Sequence, residues 1–350
     1  MTTFLHFWLC LFLICPMGVV AMIEAIKTPV DYSEKIRPEI NNCLTATDLN
    51  CGEKYEGKVR DRYDTGEKLL LITTDRQSAF DRVLASIPFK GQVLNLTGAW
   101  WFDQTRDIVP NHVIDIADPN VTVAKKCDTF PIEFVVRGYI TGTSSTSLWT
   151  VYNNGSREYC GISFPEGLSK NEKLEKCVLT PTTKEETHDR PISPQEIVSE
   201  GWMTSTDWEK ASSVALQLFQ RGQEIASENG LILVDTKYEM GKDSEGNLTL
   251  IDEIHTPDSS RYWIADTFED RFSNGLEPEN VDKEFLRLWF RDNCDPYNDE
   301  TLPSAPDDLV IELSRRYLYL YEKITGKEFP FPKLGEPIME RMTRNLAEYL

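Results

Sequence analysis

The chain has 350 residues, of which 40% are hydrophobic, 27% charged and 11% aromatic, with no low-complexity tract. That is the composition of a folded enzyme, and it excludes disordered and fibrous classes. The formal net charge of -20 would repel nucleic acid and anionic lipid, so neither is an expected partner, and small anionic substrates would bind only where Lys and Arg gather locally.

The chain opens on an apolar leader, residues 1–21. Val19-Val20-Ala21 resembles a signal-peptidase site, yet no Lys or Arg precedes the apolar run. Met22-Ile23-Glu24-Ala25 then begins an ordinary soluble sequence. The expectation is a translated start set too far upstream, a working protein that begins near Met22, and a cytoplasmic location. The alternative is an organellar or export signal. The eight cysteines are scattered without a C-x-x-C pair, which favours reduced thiols and gives no support to zinc.

A first helical stretch is expected near Tyr32 to Leu44. From Tyr55 to about Val136 the pattern is strand-like: Lys58-Val59-Arg60-Asp61-Arg62-Tyr63 alternates with period two, and Leu69-Leu70-Leu71-Ile72 is an apolar run. A helix through Leu94 to Thr105 interrupts these strands. The segment from Tyr152 to Ser199, rich in Gly, Pro, Asn and Thr, reads as long loops of the kind that carry function. A helix follows, with capping-box spacing at Thr206-Asp207-Trp208-Glu209, an apolar face from Trp208 to Ile225, and a stop at Gly230. Leu231 to Ile254 reads as a hairpin turning at Lys242 to Asn247. Three helices finish the chain: Asp282 to about Arg291, Pro306 to about Thr325 after a Ser304 cap, and Pro337 to Tyr349. The fold class is therefore α+β, strand-rich first and helical last, with a site between lobes.

The densest chemistry lies in Leu231-Ile232-Leu233-Val234-Asp235-Thr236-Lys237-Tyr238-Glu239. Four apolar residues imply a buried strand, and the alternation then puts Asp235, Lys237 and Glu239 on one face. Leu250-Ile251-Asp252-Glu253 brings further carboxylates across the hairpin. Magnesium binds through one or two carboxylates plus phosphate oxygens, so Glu239 and Asp252 could supply the pair while Lys237 neutralises phosphate. The bland alternative is a solvated strand face. Thr256-Pro257-Asp258-Ser259-Ser260-Arg261 offers an arginine fork beside small hydroxyls. Glu56-Gly57-Lys58-Val59-Arg60 could lie over nucleotide phosphates, although a basic strand edge would read the same way. Thr74-Asp75-Arg76-Gln77-Ser78-Ala79-Phe80-Asp81 follows a strand end. Val135-Val136-Arg137-Gly138 leads into the Gly142-Thr143-Ser144 loop, and Thr180 to Lys184, with His188 and Asp189, forms a dense polar loop. The ATP motifs G-x-x-x-x-G-K-S/T and G-x-G-x-x-G are absent from the sequence.

In this order the segments resemble the phosphoribosylaminoimidazole-succinocarboxamide synthase (SAICAR synthetase) family, from roughly Tyr55 to Thr325. Leu233 to Gly241 looks like one family signature and Thr74 to Asp81 like another. Met240 stands where the family usually has phenylalanine, and Thr143 where a serine commonly follows Thr-Gly. The resemblance implies a SAICAR-synthase-like fold. Its parts would be a kinase-like, strand-rich nucleotide lobe over 22–130, an ATP-grasp-like catalytic lobe over 131–276 and C-terminal helices over 277–350. It also implies an ATP-dependent ligase with magnesium, joining L-aspartate to a carboxylated aminoimidazole ribotide through an acyl phosphate. Lys58 and Arg60 would face the ATP phosphates, and Glu239 and Asp252 would hold magnesium. Lys237 and Asp235 would be catalytic. On the substrate side would be Asp75, Arg76, Ser78, Arg137, Lys184, His188, Asp189, Asp258, Ser260, Arg261 and either Thr143 or Ser144.

Overall fold

The computed structural model of the protein describes residues 30–80, 82–184, 190–281 and 284–350. The leader over residues 1–21, the start near Met22, and the candidates His188 and Asp189 lie outside the described residues.

The architecture is α+β, built on two antiparallel sheets. The first runs Glu53–Glu56, Arg60–Asp64, Lys68–Thr73, Val121–Lys125, Val113–Asp118 in spatial order. Period-two alternation divides its faces. Tyr63, Leu70, Ile72, Val121 and Val123 pack outward against Leu44, Leu49, Met342 and Leu346, so a segment ahead of the sheet and the last helix close that face. Burying each such side chain contributes about 1.5–3 kcal/mol. Arg341 fastens the last helix by two bonds to Asp118, at 3.0 and 2.9 Å. The opposite face carries Arg60, Arg62, Leu71 and Thr73, which the register sets side by side. Beneath it runs the helix Lys90–Gln104, beginning earlier than the sequence pattern predicts because Phe89, in a left-handed conformation, turns the chain into it. Gly91 is required there: a Cβ would lie 2.3 Å from the Thr73 carbonyl oxygen.

The second sheet centres on the strand Leu231–Lys242. Its first half is flanked by Ile132–Tyr139 on one side and Ser260–Ile264 on the other. Its second half pairs with Leu248–Ile251 and, across from that, Asp128–Thr129. The expected hairpin therefore exists only at its tip. The rest of the strand exchanges partners, because Asp252 and His255 adopt positive φ (66° and 51°) and fold the return segment away. The helix Ser205–Glu228 covers this sheet with Trp208, Ala211, Ala215, Leu218 and Phe219. Its cap is Thr204, whose hydroxyl accepts from the Asp207 N–H at 3.1 Å, and not Thr206. Both threonines have the spacing, and the earlier start extends the covering face.

Helix Asp307–Thr325 packs against Ile87, Phe89, Val93 and Leu94, joining the C-terminal region to the Lys90–Gln104 helix. Pro306 occupies its N-cap with no side-chain bond, so Ser304 lies outside the helix and does not cap it.

Candidate active site

The alternation of the central strand brings Asp235, Lys237 and Glu239 to one face, and the flanking strands complete each rung. Asp235 is in register with both Arg137 and Arg261. Arg261 donates to Asp235 Oδ2 at 2.9 Å, Arg137 Nη1 lies 3.7 Å from the same oxygen, and Arg137 Nε donates to Thr180 at 2.8 Å. One carboxylate thus holds two guanidinium groups in a row.

Two residues further, Lys237 Nζ donates to Glu133 Oε1 at 2.7 Å and to Glu239 Oε1 at 3.2 Å. Lys184 donates to the other Glu239 oxygen at 2.5 Å. Withdrawal from water pulls the Lys237 pKa down, but the charges of Glu239, Glu133 and Asp252 outweigh it and hold the ammonium above the ordinary lysine range.

Asp252 follows directly after Ile251, the partner of Glu239, and its left-handed backbone, which aspartate tolerates better than most residues, turns the chain there. Arg60, from the first sheet, is hydrogen-bonded to Asp252 and has Nη2 3.8 Å from Glu253, so it joins the two sheets across the cleft. Burial works to raise the Asp252 carboxyl pKa, but the charges of Arg60, Lys237 and Lys184 overcome it and hold the group below the ordinary carboxylate value. For Glu253, burial raises the pKa, Arg60 opposes, and the charges of Asp252 and Asp258 add to the rise. His112 lies nearby with Nδ1 3.2 Å from the Leu250 carbonyl, and burial pushes its pKa down to about 4. Arg60, Leu71, Leu94, Gly98, Thr122 and Asp252 border a gap between the first sheet, the Lys90–Gln104 helix and this turn.

Other candidates are placed differently. Asp75 is 1% exposed and accepts the backbone N–H groups of Leu44 at 2.7 Å and Gly91 at 2.8 Å. Burial, opposed by those bonds and by Lys90, raises its pKa to about 6. Arg76 is buried on Asp61 at 2.5 Å and donates to the carbonyls of Thr45, Gly57 and Lys58. It therefore clamps the turn that carries Lys58, which is itself exposed. Ser78 is half-buried on the short hairpin Arg76–Ala79/Arg82–Ser86. Ser260 shares a 2.7 Å hydrogen bond with Thr236. Asp258 is held by Lys90 and Tyr317, each at 2.7 Å. Thr143 and Ser144 are both exposed, in the loop before the helix Leu148–Asn153.

Sequence reasoning missed Glu133, which sits four residues before Arg137 on the same strand, so its period-two relation to Arg137 and Lys237's face was the available signal. It also missed His112, Lys90 and Tyr317, which lie in apolar or helical runs with no motif around them.

Among the described residues no set of three or more His, Cys, Asp or Glu is grouped for a metal ion. A pair of carboxylates with hard oxygen donors is what magnesium takes when phosphate oxygens and waters fill its shell, so Glu239 and Asp252 suit that ion and not zinc.

Arg60, Lys184, Lys237, Arg137 and Arg261 thus gather beside Glu239 and Asp252 on an otherwise acidic chain, an arrangement suited to anionic ligands. Comparison with known proteins narrows the class to a ligase. Residues 53–303 match the SAICAR synthetase family. A phosphoribosylaminoimidazole-succinocarboxamide synthase of Legionella pneumophila (strain Paris) is 63% identical over 308 residues, covering 88% of this chain and 99% of that protein. The solved SAICAR synthase of Saccharomyces cerevisiae, complexed with SAICAR, superposes with a TM-score of 0.71 at 30% identity, over 82% of this chain and 100% of that one. A type-2 SAICAR synthetase in complex with ADP gives 0.61 at 25% identity, over 80% and 100%. The chain belongs to the SAICAR synthetase family, ligases of purine biosynthesis.

Proposed function

We propose that the chain joins L-aspartate to 5-amino-1-(5-phosphoribosyl)imidazole-4-carboxylate, consuming ATP and releasing ADP and phosphate. The observation that carries the reading is the ladder on the central strand: an Arg137–Asp235–Arg261 rung beside a Glu133–Lys237–Glu239 rung, faced by Arg60 on Asp252. The solved relatives in complex with SAICAR and with ADP support the choice of substrates.

A carboxylate is a poor electrophile, because oxide is not a leaving group. In the proposed route a ribotide carboxylate oxygen attacks the γ-phosphorus of ATP and ADP departs, leaving an acyl phosphate. The neutral aspartate amine then attacks the acyl carbon, loses a proton, and expels phosphate to leave the amide. Catalysis here is mostly positioning and charge stabilisation.

In this reading residues 22–130 form the nucleotide lobe, 131–276 the catalytic lobe and 277–350 the helical remainder. Lys58 and Arg60 meet the ATP phosphates. Lys237, kept protonated by its acidic neighbours, stabilises the transferring phosphoryl group beside the ribotide carboxylate. Asp235 orients Arg137 and Arg261, whose forks receive the ribotide phosphate. Thr143 or Ser144, with Lys184, His188, Asp189 and Ser78, borders the substrates. Asp75, Arg76, Asp258 and Ser260 act by holding the surrounding loops. Glu239 and Asp252 would hold magnesium, which supplies charge neutralisation at the phosphoryl oxygens. The cytoplasm is the proposed location, with an organelle or export as the alternative if residues 1–21 act as a signal.

The test is an assay of the purified chain with ATP, magnesium, ribotide and aspartate, following the succinocarboxamide product. ATP turnover that proceeds equally without aspartate would sink the ligase reading and point to a phosphotransferase.

A further inference from the structure

The segment Thr256–Arg261 is fixed to the central strand at one end by the Arg261–Asp235 bond and inside by the Thr236–Ser260 hydroxyl pair. Its middle residue turns away. Asp258, with a side chain 7% exposed, gives one oxygen to Lys90, itself 0% exposed, and the other to the Tyr317 hydroxyl. The same hydroxyl lies 2.9 Å from Gln77 Oε1, on the segment that follows the first sheet's central strand. A hydroxyl has one proton, and the carboxylate is the stronger acceptor, so Tyr317 donates to Asp258 while Gln77 lines its other side. Ser314, one turn earlier on the same helix, donates to the Pro88 carbonyl at 2.8 Å, fixing the helix beside Lys90. Tyr317 thus touches both polar segments flanking the cleft from a helix that lies beyond residues 53–303, the stretch over which the family match extends.

We infer that Tyr317 is a positioning residue for the ligase reaction: by holding Asp258 it sets the Pro257–Asp258–Ser259 turn that leads into the strand carrying Arg261, where the ribotide phosphate is gripped. The inference rests on the proposed role of Arg261. Its physical basis is the buried Lys90–Asp258 pair. A carboxylate with both oxygens engaged keeps one orientation, whereas one that loses its hydroxyl partner in a dry site is left under-satisfied and pulls the turn with it.

Tyr317→Phe removes the hydroxyl and keeps the ring. The expected result is a rise of about tenfold in KM for the ribotide, the usual consequence of losing a buried hydrogen bond to a charged group, with the KM for ATP within twofold. Tyr321→Phe, a buried tyrosine on the same helix packed against Phe329 and outside the cleft, serves as control and should leave both values unchanged. Asp258→Asn should shift the ribotide KM in the same direction, and the double variant should be no worse than Asp258→Asn, because the two residues act as one unit. Equal effects on ATP and ribotide, an unchanged ribotide KM, or additive effects in the double variant would overturn the role. If Tyr317→Phe does not fold, the Asp258→Asn split between ribotide and ATP decides. Absence of amide product from the unaltered chain would instead overturn the ligase reading, so the two failures are distinguishable.

Discussion

Lys237 and Glu133 meet across two neighbouring strands, Nζ to Oε1 at 2.7 Å, and Glu239 takes a second ammonium proton at 3.2 Å. A lysine held between two carboxylates stays charged and cannot swing, which is the state a stabiliser of phosphoryl transfer needs. Lys237→Ala should therefore fold normally and lose ligation by roughly a hundredfold or more. Glu133→Gln, which keeps shape but removes one anchor, should lower kcat by about tenfold, in line with a single charge-assisted hydrogen bond. Both are read from initial rates, and near-normal turnover in Lys237→Ala would remove that residue from the chemistry.

Removal of divalent ions should abolish ligation, and magnesium should restore it. Glu239→Gln and Asp252→Asn should each raise the magnesium concentration needed for half-maximal rate by about tenfold or more, since a carboxylate ligand to a hard cation becomes a weaker amide one. Titration of rate against magnesium measures this, and an unshifted midpoint in both variants would detach the pair from the metal.

Arg76→Met should act on folding before it acts on chemistry. The substitution leaves Asp61, 0% exposed, without its main cation, although Thr47 Oγ1 at 2.6 Å and Lys54 at 3.3 Å remain. Breaking a buried pair from one side costs about 3–5 kcal/mol, and those remaining partners favour the lower end. Urea unfolding gives the difference, and a loss below about 1 kcal/mol would show the pair to be dispensable.

Acid should destabilise the protein well above the carboxylate range. Burial lowers the pKa of His112 to about 4 and of His255 to about 3, from 6.5 in the unfolded chain. Below pH 6.5 the unfolded state binds more protons at both sites, so stability present above that pH is lost as pH falls toward the folded values. Asp75, raised from 3.8 to about 6, works the other way in part of this window, and so does Glu253, whose pKa burial also raises. The net loss between pH 7 and 5 should be about 2 kcal/mol. Denaturant midpoints at the two pH values test it, and a midpoint that rises on acidification would contradict the buried, neutral state of these rings.

The central strand was legible because its chemistry is periodic: an apolar run followed by Asp235, Lys237 and Glu239 at alternate positions can only present them together. The same logic would have found Glu133. The sequence does not reveal the internal bonds that Asp75 and Arg76 make, since polar residues leaving a strand end look alike whether they meet a ligand or the chain's own backbone. Lys90 and Tyr317, which meet at Asp258 from 168 and 59 positions away, had no local signal. The expected hairpin misjudged pairing because Asp252 and His255 permit positive φ without requiring it, so the turn that takes the return segment away is fixed only in the folded chain.

The partner exchange along Leu231–Lys242 has a further consequence for how this chain tolerates insertions and deletions. Asp235, Lys237 and Glu239 ride on one unbroken backbone, so losing a single residue between Leu231 and Val234 would invert the side chains of one half against the other and send the three to the wrong side together. At the Asp243–Asn247 tip, where the Asp243 carboxylate gathers the Glu245 and Asn247 amides, an extra residue would lengthen the loop without altering that parity. Length variation in descendants of this chain should accumulate at the tip and stop short of Lys242.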